Sequence, residues 1–242
     1  MIRRFRPVAV AALAALRHPL DVADPFADVL AATRRHRRRH RCGAFAYGDG
    51  TLPATLAAAV DARRVVEVGT ALGYTALSMA HAAPGARVET IERDDTHVGL
   101  AREQIADHGL ADRVEVLHGT AETVLATLPP GAYDLAFFDG FTPTADVVRQ
   151  LHVLLRPGGT LVVGNLILGP ERAVTDDLAD PDRWRTHAMG ETALCVKAAE
   201  GPPGPVDGAA RLGSCRPPAA PPDRPTSWND SSRCSLRKGS RS

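Results

Sequence analysis

The stretch VVEVGTALGYTALSMA, residues 65–80, decides the fold. A β-branched run from Val65 to Val68 passes through Gly69 and Gly73 into a helix-like pattern from about Thr75. Strand, glycine turn and helix in that order bring backbone N–H groups together at a helix N-terminus, a place where charged ligand ends bind. The ligand is narrowed by what the turn lacks. A Walker A loop closes on Gly-Lys-Ser/Thr, and Gly73-Tyr74-Thr75 has no lysine. A dinucleotide fingerprint needs Gly-x-Gly-x-x-Gly, whereas the order here is Glu67-x-Gly69-x-x-x-Gly73. A carboxylate at Glu67 would repel pyrophosphate and attract an ammonium group, which favours a ligand with a cationic amino-acid end.

Around this stretch, from 61 to 198, apolar runs at 64–68, 87–91, 113–117, 133–138 and 160–163 alternate with helical patterns at 75–82, 96–108, 121–128 and 144–155. Strands continuous in apolar character and separated by helices describe a parallel sheet covered on both faces. Punctuation agrees. Pro84-Gly85 and Gly109 stop two helices, Asp94 or Asp95 can cap the second, and Thr142-Pro143 offers a cap to the last. Pro157-Gly158-Gly159 is expected to end that helix and turn the chain into the fifth strand. From Trp184, WRTHAMGETALCVKA reads as two strands joined at Gly190. The expected architecture is a doubly wound, mostly parallel α/β sheet of seven strands closed by an antiparallel pair.

The next two strand ends add to the site. Glu92 closes the second strand, where a carboxylate accepts hydrogen bonds from ribose hydroxyls. His118-Gly119-Thr120-Ala121 follows the third, a small-residue turn on which an adenine ring can lie flat. Glu67 alone could be a buried capped acid, and Glu92 alone a member of a solvated acidic cluster. On successive strand ends they favour S-adenosylmethionine over a dinucleotide.

These motifs resemble those of the class I methyltransferases, specifically the small-molecule O-methyltransferase family of the catechol and caffeoyl-CoA enzymes. VVEVGTALGYTALSMA resembles that family's first motif, LHGTAETVLATLP its Gly-x-Ala turn, YDLAFFDG its Phe-Phe/Ile-Asp strand and LLRPGGTLVVGNLILGP its late strand segment; the resemblance runs over about two thirds of the chain, residues 43–198. It implies a Rossmann-like sheet and S-adenosylmethionine as cosubstrate. Glu67, Gly69, Gly73, Tyr74 and Thr75 would surround the methionine part, Glu92 would hold the ribose, Ala121 would lie by the adenine, and Asp139 would be a further cosubstrate-binding residue.

Two departures bear on mechanism. Family members commonly hold a divalent ion between an Asp ending the fourth strand and an Asp-Asn pair ending the fifth; the ion binds the acceptor oxygens and acidifies the one to be methylated. Asp139 and Asn165 match two of these positions, but Gly164 stands where the other Asp is expected. The family's catalytic lysine falls on Thr142. Tight magnesium binding is therefore not expected. Three outcomes stay open: methyl transfer without metal, with Asp139 or a histidine such as His118 or His187 as base; a weak metal completed by water or substrate; or cosubstrate binding without turnover.

Length and composition bound the rest. A chain of 242 residues, 44% hydrophobic, holds one core with appendages. A net charge of +1 gives no global pull toward nucleic acid or anionic lipid. Cys42, Cys195, Cys215 and Cys234 show no C-x-x-C spacing, so a reducing compartment without a structural zinc or disulfide framework is the simpler expectation. Residues 1–42 read as an Ala/Arg-rich helical extension. Its start, MIRRFRPVAVAALAALRHPL, has the charge and apolar pattern of a secretory leader or of an Ala-rich helix, too short to span a bilayer. A cytosolic cosubstrate favours the cytoplasm. The block RRHRRRHR at 34–41 could hold phosphates, as in a tRNA-modifying enzyme, but lacks aromatic interleaving and fits a solvated face. Residues 199–242, rich in Pro and Ser, have no burying pattern and are expected to be disordered. The expected partner is a small hydroxylated acceptor, not nucleic acid or membrane, with a homodimer left open.

Overall fold

The computed structural model describes residues 22–48 and 50–199. The leader-like start and nearly all of the Pro/Ser-rich segment lie outside the described residues. β1 (Arg64–Val68), β2 (Arg87–Glu92), β3 (Val114–His118), β4 (Tyr133–Phe138), β5 (Leu155–Val163), β6 (Trp184–Met189) and β7 (Thr192–Lys197) form one sheet in the order β3-β2-β1-β4-β5-β7-β6. The first five run parallel, and β7 pairs antiparallel with both β5 and β6. This is the doubly wound seven-stranded sheet expected from the sequence, with its antiparallel closing pair.

Alternation along the central strands builds two cores. Val65, Leu135 and Phe137 face a cluster with Leu77, Met79 and Ile105, whereas Val66, Ala136 and Phe138 face one with Leu151, Leu154 and Trp184. A strand buried on both faces needs apolar residues at nearly every position, which is why β1 and β4 read as mostly apolar, with Glu67 the exception inside β1 and Asp134 the exception inside β4. Among the described residues the α-helices are α1 (Ala27–His40), α2 (Thr51–Ala59), α3 (Tyr74–Ala82), α4 (Asp95–Asp107), α5 (Ala121–Leu125), α6 (Ala145–Leu154) and α7 (Arg172–Ala179). Phe26, just before α1, and Val29 within it are buried in the first cluster. Four basic residues, Arg37 to His40, occupy the last turn of α1, where cations complement the helix dipole. That gives half of the RRHRRRHR block a structural reason to exist. No described helix is long and apolar enough to cross a membrane.

Two boundaries differ from expectation. Pro157-Gly158-Gly159 lies inside β5 instead of before it, because the strand already pairs at Leu155 with Tyr133 and resumes at Thr160 opposite Leu135. The three residues bulge out between those contacts. Gly159 fits there because a Cβ would sit 2.9 Å from the Arg156 carbonyl oxygen. At α6 the cap is Thr144, which accepts from the Val147 N–H at 3.3 Å, so Pro143 precedes the cap and Thr142 remains in the loop. Asp94 caps α4 as expected, accepting from the His97 N–H at 3.1 Å.

Candidate active site

β1 lies between β2 and β4, so the chain leaves it toward opposite sides and opens a crevice at the carboxyl ends of the strands. A cavity of about 710 Å³ occupies that crevice. Gly69 makes it: at φ +101°, a Cβ there would lie 2.8 Å from the Asp139 carbonyl oxygen, so only glycine lets the ends of β1 and β4 meet. Gly73, at φ +93°, closes the same turn as N-cap of α3.

Of the residues singled out from sequence, Gly69, Glu92, Ala121, Asp139 and Asn165 line the cavity. Glu92 is held by backbone: one oxygen accepts from the Ala71 N–H at 2.9 Å, the other from Arg93 and Asp94 at 2.9 and 3.0 Å. Those bonds fix it at the end of β2. Asp139 Oδ2 accepts from the Tyr47 N–H at 3.0 Å and Oδ1 from Asn165 Nδ2 at 3.1 Å. Burial first, then the charges of Glu67 and Glu191, push the Asp139 carboxyl well above the ordinary range, against the lowering effect of those two hydrogen bonds.

Glu67, Gly73, Tyr74 and Thr75 sit behind the wall instead of on it. Glu67 is fully buried; Thr75 Oγ1 donates to one oxygen and Thr90 Oγ1 to the other, at 2.6 Å for Thr90. Desolvation pushes its carboxyl up to about 7 although both hydroxyls pull it down. Both Glu67 oxygens are thus engaged in a buried bond network under the turn. Tyr74 donates to Asp24 at 2.8 Å and ties the N-terminal segment to α3. Neither His118 nor His187 lines the cavity.

Sequence reasoning missed the lid. The loop after α1 brings Phe45 and Tyr47 over the strand ends, and Phe141 and Leu168 complete an apolar rim that is 75% exposed at Phe141 and 54% at Phe45. Tyr47 is fixed through its hydroxyl, 2.8 Å from Thr192 Oγ1, and edge-on to Phe137. The aromatic pair in AFAY was the available signal, without a motif to read it by.

The residues present do not fit a magnesium ion. Both Asp139 oxygens already accept hydrogen bonds, Asn165 turns its amide N–H toward Asp139 and toward the Gly140 carbonyl at 2.8 Å, and Gly164 supplies no carboxylate. A hard dication needs anionic and carbonyl oxygens converging on one point.

Fold and site together define a class I methyltransferase. A family model described as a methyltransferase domain matches residues 66–166. A catechol O-methyltransferase of Mycobacterium tuberculosis is 38% identical over 147 residues, 59% of this chain and 67% of that protein. One from Niastella koreensis is 29% identical over 130 residues, 52% of this chain and 59% of that protein. Among solved structures, the Streptomyces achromogenes O-methyltransferase involved in tomaymycin synthesis, in complex with SAM, superposes with TM-score 0.60 at 25% identity, covering 79% of this chain and 96% of that one. The chain belongs to the S-adenosylmethionine-dependent O-methyltransferase family that includes the catechol enzymes. The match to these two curated relatives spans roughly three fifths to two thirds of their length.

Proposed function

We propose that this chain transfers the methyl group of S-adenosylmethionine to a hydroxyl of a small, largely apolar acceptor without a magnesium ion, with Asp139 as proton acceptor. The observation that carries it is the charge of the cavity: among the described residues, Glu92, Glu122, Asp139 and Glu191 line it against one cation, Arg93. Such a wall suits a ligand bearing a sulfonium and an ammonium group, and disfavours a dinucleotide pyrophosphate. Glu92 would accept from the ribose hydroxyls, the Gly119–Ala121 turn would support the adenine, and Gly69 to Ala71 would face the methionine part.

The acceptor would enter over Phe45, Phe141 and Leu168, which suit an aromatic ring. Its hydroxyl oxygen attacks the methyl carbon in line as the carbon–sulfur bond breaks; S-adenosylhomocysteine leaves and the hydroxyl proton goes to Asp139. A carboxyl raised by burial is a better base than a free one, and close in-line placement supplies much of the rate. A cytoplasmic location goes with this cosubstrate.

Calorimetry tests the cosubstrate assignment. S-adenosylhomocysteine should bind and NAD should neither bind nor compete; displacement by NAD would overturn the proposal. Methylation is then followed with radiolabelled cosubstrate and a panel of phenols and catechols.

A further inference from the structure

On the outer side of the cavity wall, three side chains with metal-binding chemistry converge: His36 on α1, Cys42 just beyond its end, and buried His97 in the first turn of α4. One ligand atom from each lies within 4.8 Å of the other two. We propose that His36, Cys42 and His97 form a zinc site, with water in the fourth position, that clasps the N-terminal helix to the cosubstrate-binding wall. The inference stands independently of the methyl-transfer proposal.

The donor set is the first reason. Two imidazoles and a thiolate make a borderline-soft combination that suits zinc and excludes magnesium or calcium. Zinc–nitrogen and zinc–sulfur bonds of roughly 2.0–2.3 Å put tetrahedral ligand atoms about 3.4–3.7 Å apart, so closing on an ion takes shifts of only about 1 Å.

Backbone geometry is the second. Arg41 ends α1 in the left-handed region at φ 53°, its N–H bonded to the Arg37 carbonyl at 2.8 Å. That reversal swings Cys42 back toward the helix face bearing His36. The three ligands therefore have no regular spacing in sequence, and the expectation of no structural zinc, drawn from the missing C-x-x-C, is revised by their placement in space.

The state of the histidines is the third. His36 packs edge-on to His97, ring centroids 5.3 Å apart, and stacks on His40 at 4.5 Å. His97 turns Nδ1 toward Glu92 and Asp94, 3.9 Å from an oxygen of each. Both carboxylates lie on the Nδ1 side of the ring, beyond hydrogen-bond distance, so Nε2 is the atom that would meet the metal. Since Glu92 also lines the cavity, the site sits one side chain away from the cosubstrate.

Cobalt is the probe, because only a thiolate ligand gives a charge-transfer band in the near ultraviolet. Full-length, reduced, metal-free protein titrated with cobalt should develop that band with one equivalent and lose it on addition of zinc. Cys42→Ser should abolish the band, and both Cys42→Ser and His36→Gln should weaken zinc binding by more than about tenfold, the low end for loss of even an outer-shell partner. The double variant Cys215→Ser/Cys234→Ser should keep band and affinity. Circular dichroism and melting establish that each variant folds. Failure to bind one equivalent in the folded wild-type protein, or a band that survives Cys42→Ser, overturns the proposal.

Discussion

Asn165 donates its side-chain amide to Asp139 across the carboxyl ends of β5 and β4, at 3.1 Å. The bond occupies the edge of Asp139 that a magnesium ion would share with Asn165, and it orients a carboxylate whose other oxygen is held by the Tyr47 N–H. With both oxygens so held, the arrangement supports the proposed role of Asp139 as a base over that of a metal ligand.

Turnover on a phenol or catechol should therefore survive chelation and gain nothing from magnesium. A chelator would also strip zinc from the His36–Cys42–His97 cluster, so Cys42→Ser is assayed beside the unaltered chain, each with and without magnesium. Loss of activity restored by magnesium in both would make Asp139 a ligand after all. Gly164→Asp should create magnesium affinity: a Cβ there meets the Phe138 carbonyl oxygen and the Tyr47 ring at 3.4 Å and lies 3.6 Å from Asp139 Oδ1, so the new carboxylate would face Asp139.

Glu92 supports the turn as well as the ligand, because it accepts from the Ala71, Arg93 and Asp94 N–H groups. Glu92→Ala should weaken S-adenosylhomocysteine binding by about 1–3 kcal/mol, the scale of lost charged hydrogen bonds, and also lower the melting temperature. Normal affinity in calorimetry would remove Glu92 from the site.

Glu67 predicts a pH effect on stability. Its carboxyl titrates near 7 in the folded protein against an ordinary value of 4.5, so between those values the folded state holds a proton the unfolded chain has released. Stability from this group is complete below about 4.5 and is lost as pH rises through about 7. Glu67→Gln, which keeps the side chain neutral, should flatten that fall, which amounts to about 3 kcal/mol at most. Chemical denaturation of both proteins at pH 5 and pH 8 compares them; equal slopes would mean that Glu67 is ionised throughout.

How much could be read beforehand follows from the range of the interactions. β1 and β4 were legible to the residue because burial on both faces leaves a local imprint, a mostly apolar run. Asp94 and Gly109 were legible because caps act within a turn. The bulge at 157–159 was not, since whether Leu155 ends a helix or starts a strand depends on Tyr133 across the sheet. At the site, Gly69, Glu92 and Asp139 were found because they end strands. Glu67 and Thr75 carry the motif equally well, but their contact with each other, which takes both off the cavity surface, is tertiary. Tyr47 and the His36–Cys42–His97 cluster depend on where α1 docks, which no local pattern specifies.

Phe141 offers the cleanest separation of acceptor from cosubstrate. It follows Asp139-Gly140, lines the cavity and remains 75% exposed, so little of it contributes to the core. An exposed aromatic at the mouth of an acidic cavity gives a flat apolar acceptor a surface to bury against. Phe141→Ala should therefore leave the melting temperature and S-adenosylhomocysteine affinity unchanged while raising KM for an aromatic acceptor. Losing the burial of one large side chain against the ring is worth about 1–2 kcal/mol, or roughly five- to thirtyfold in KM. A charged or aliphatic acceptor of similar size should be much less affected. Steady-state kinetics on both acceptor classes decides it: equal effects on the two would place the acceptor away from Phe141, and a fall in cosubstrate affinity would mean that this side chain belongs to the S-adenosylmethionine pocket instead.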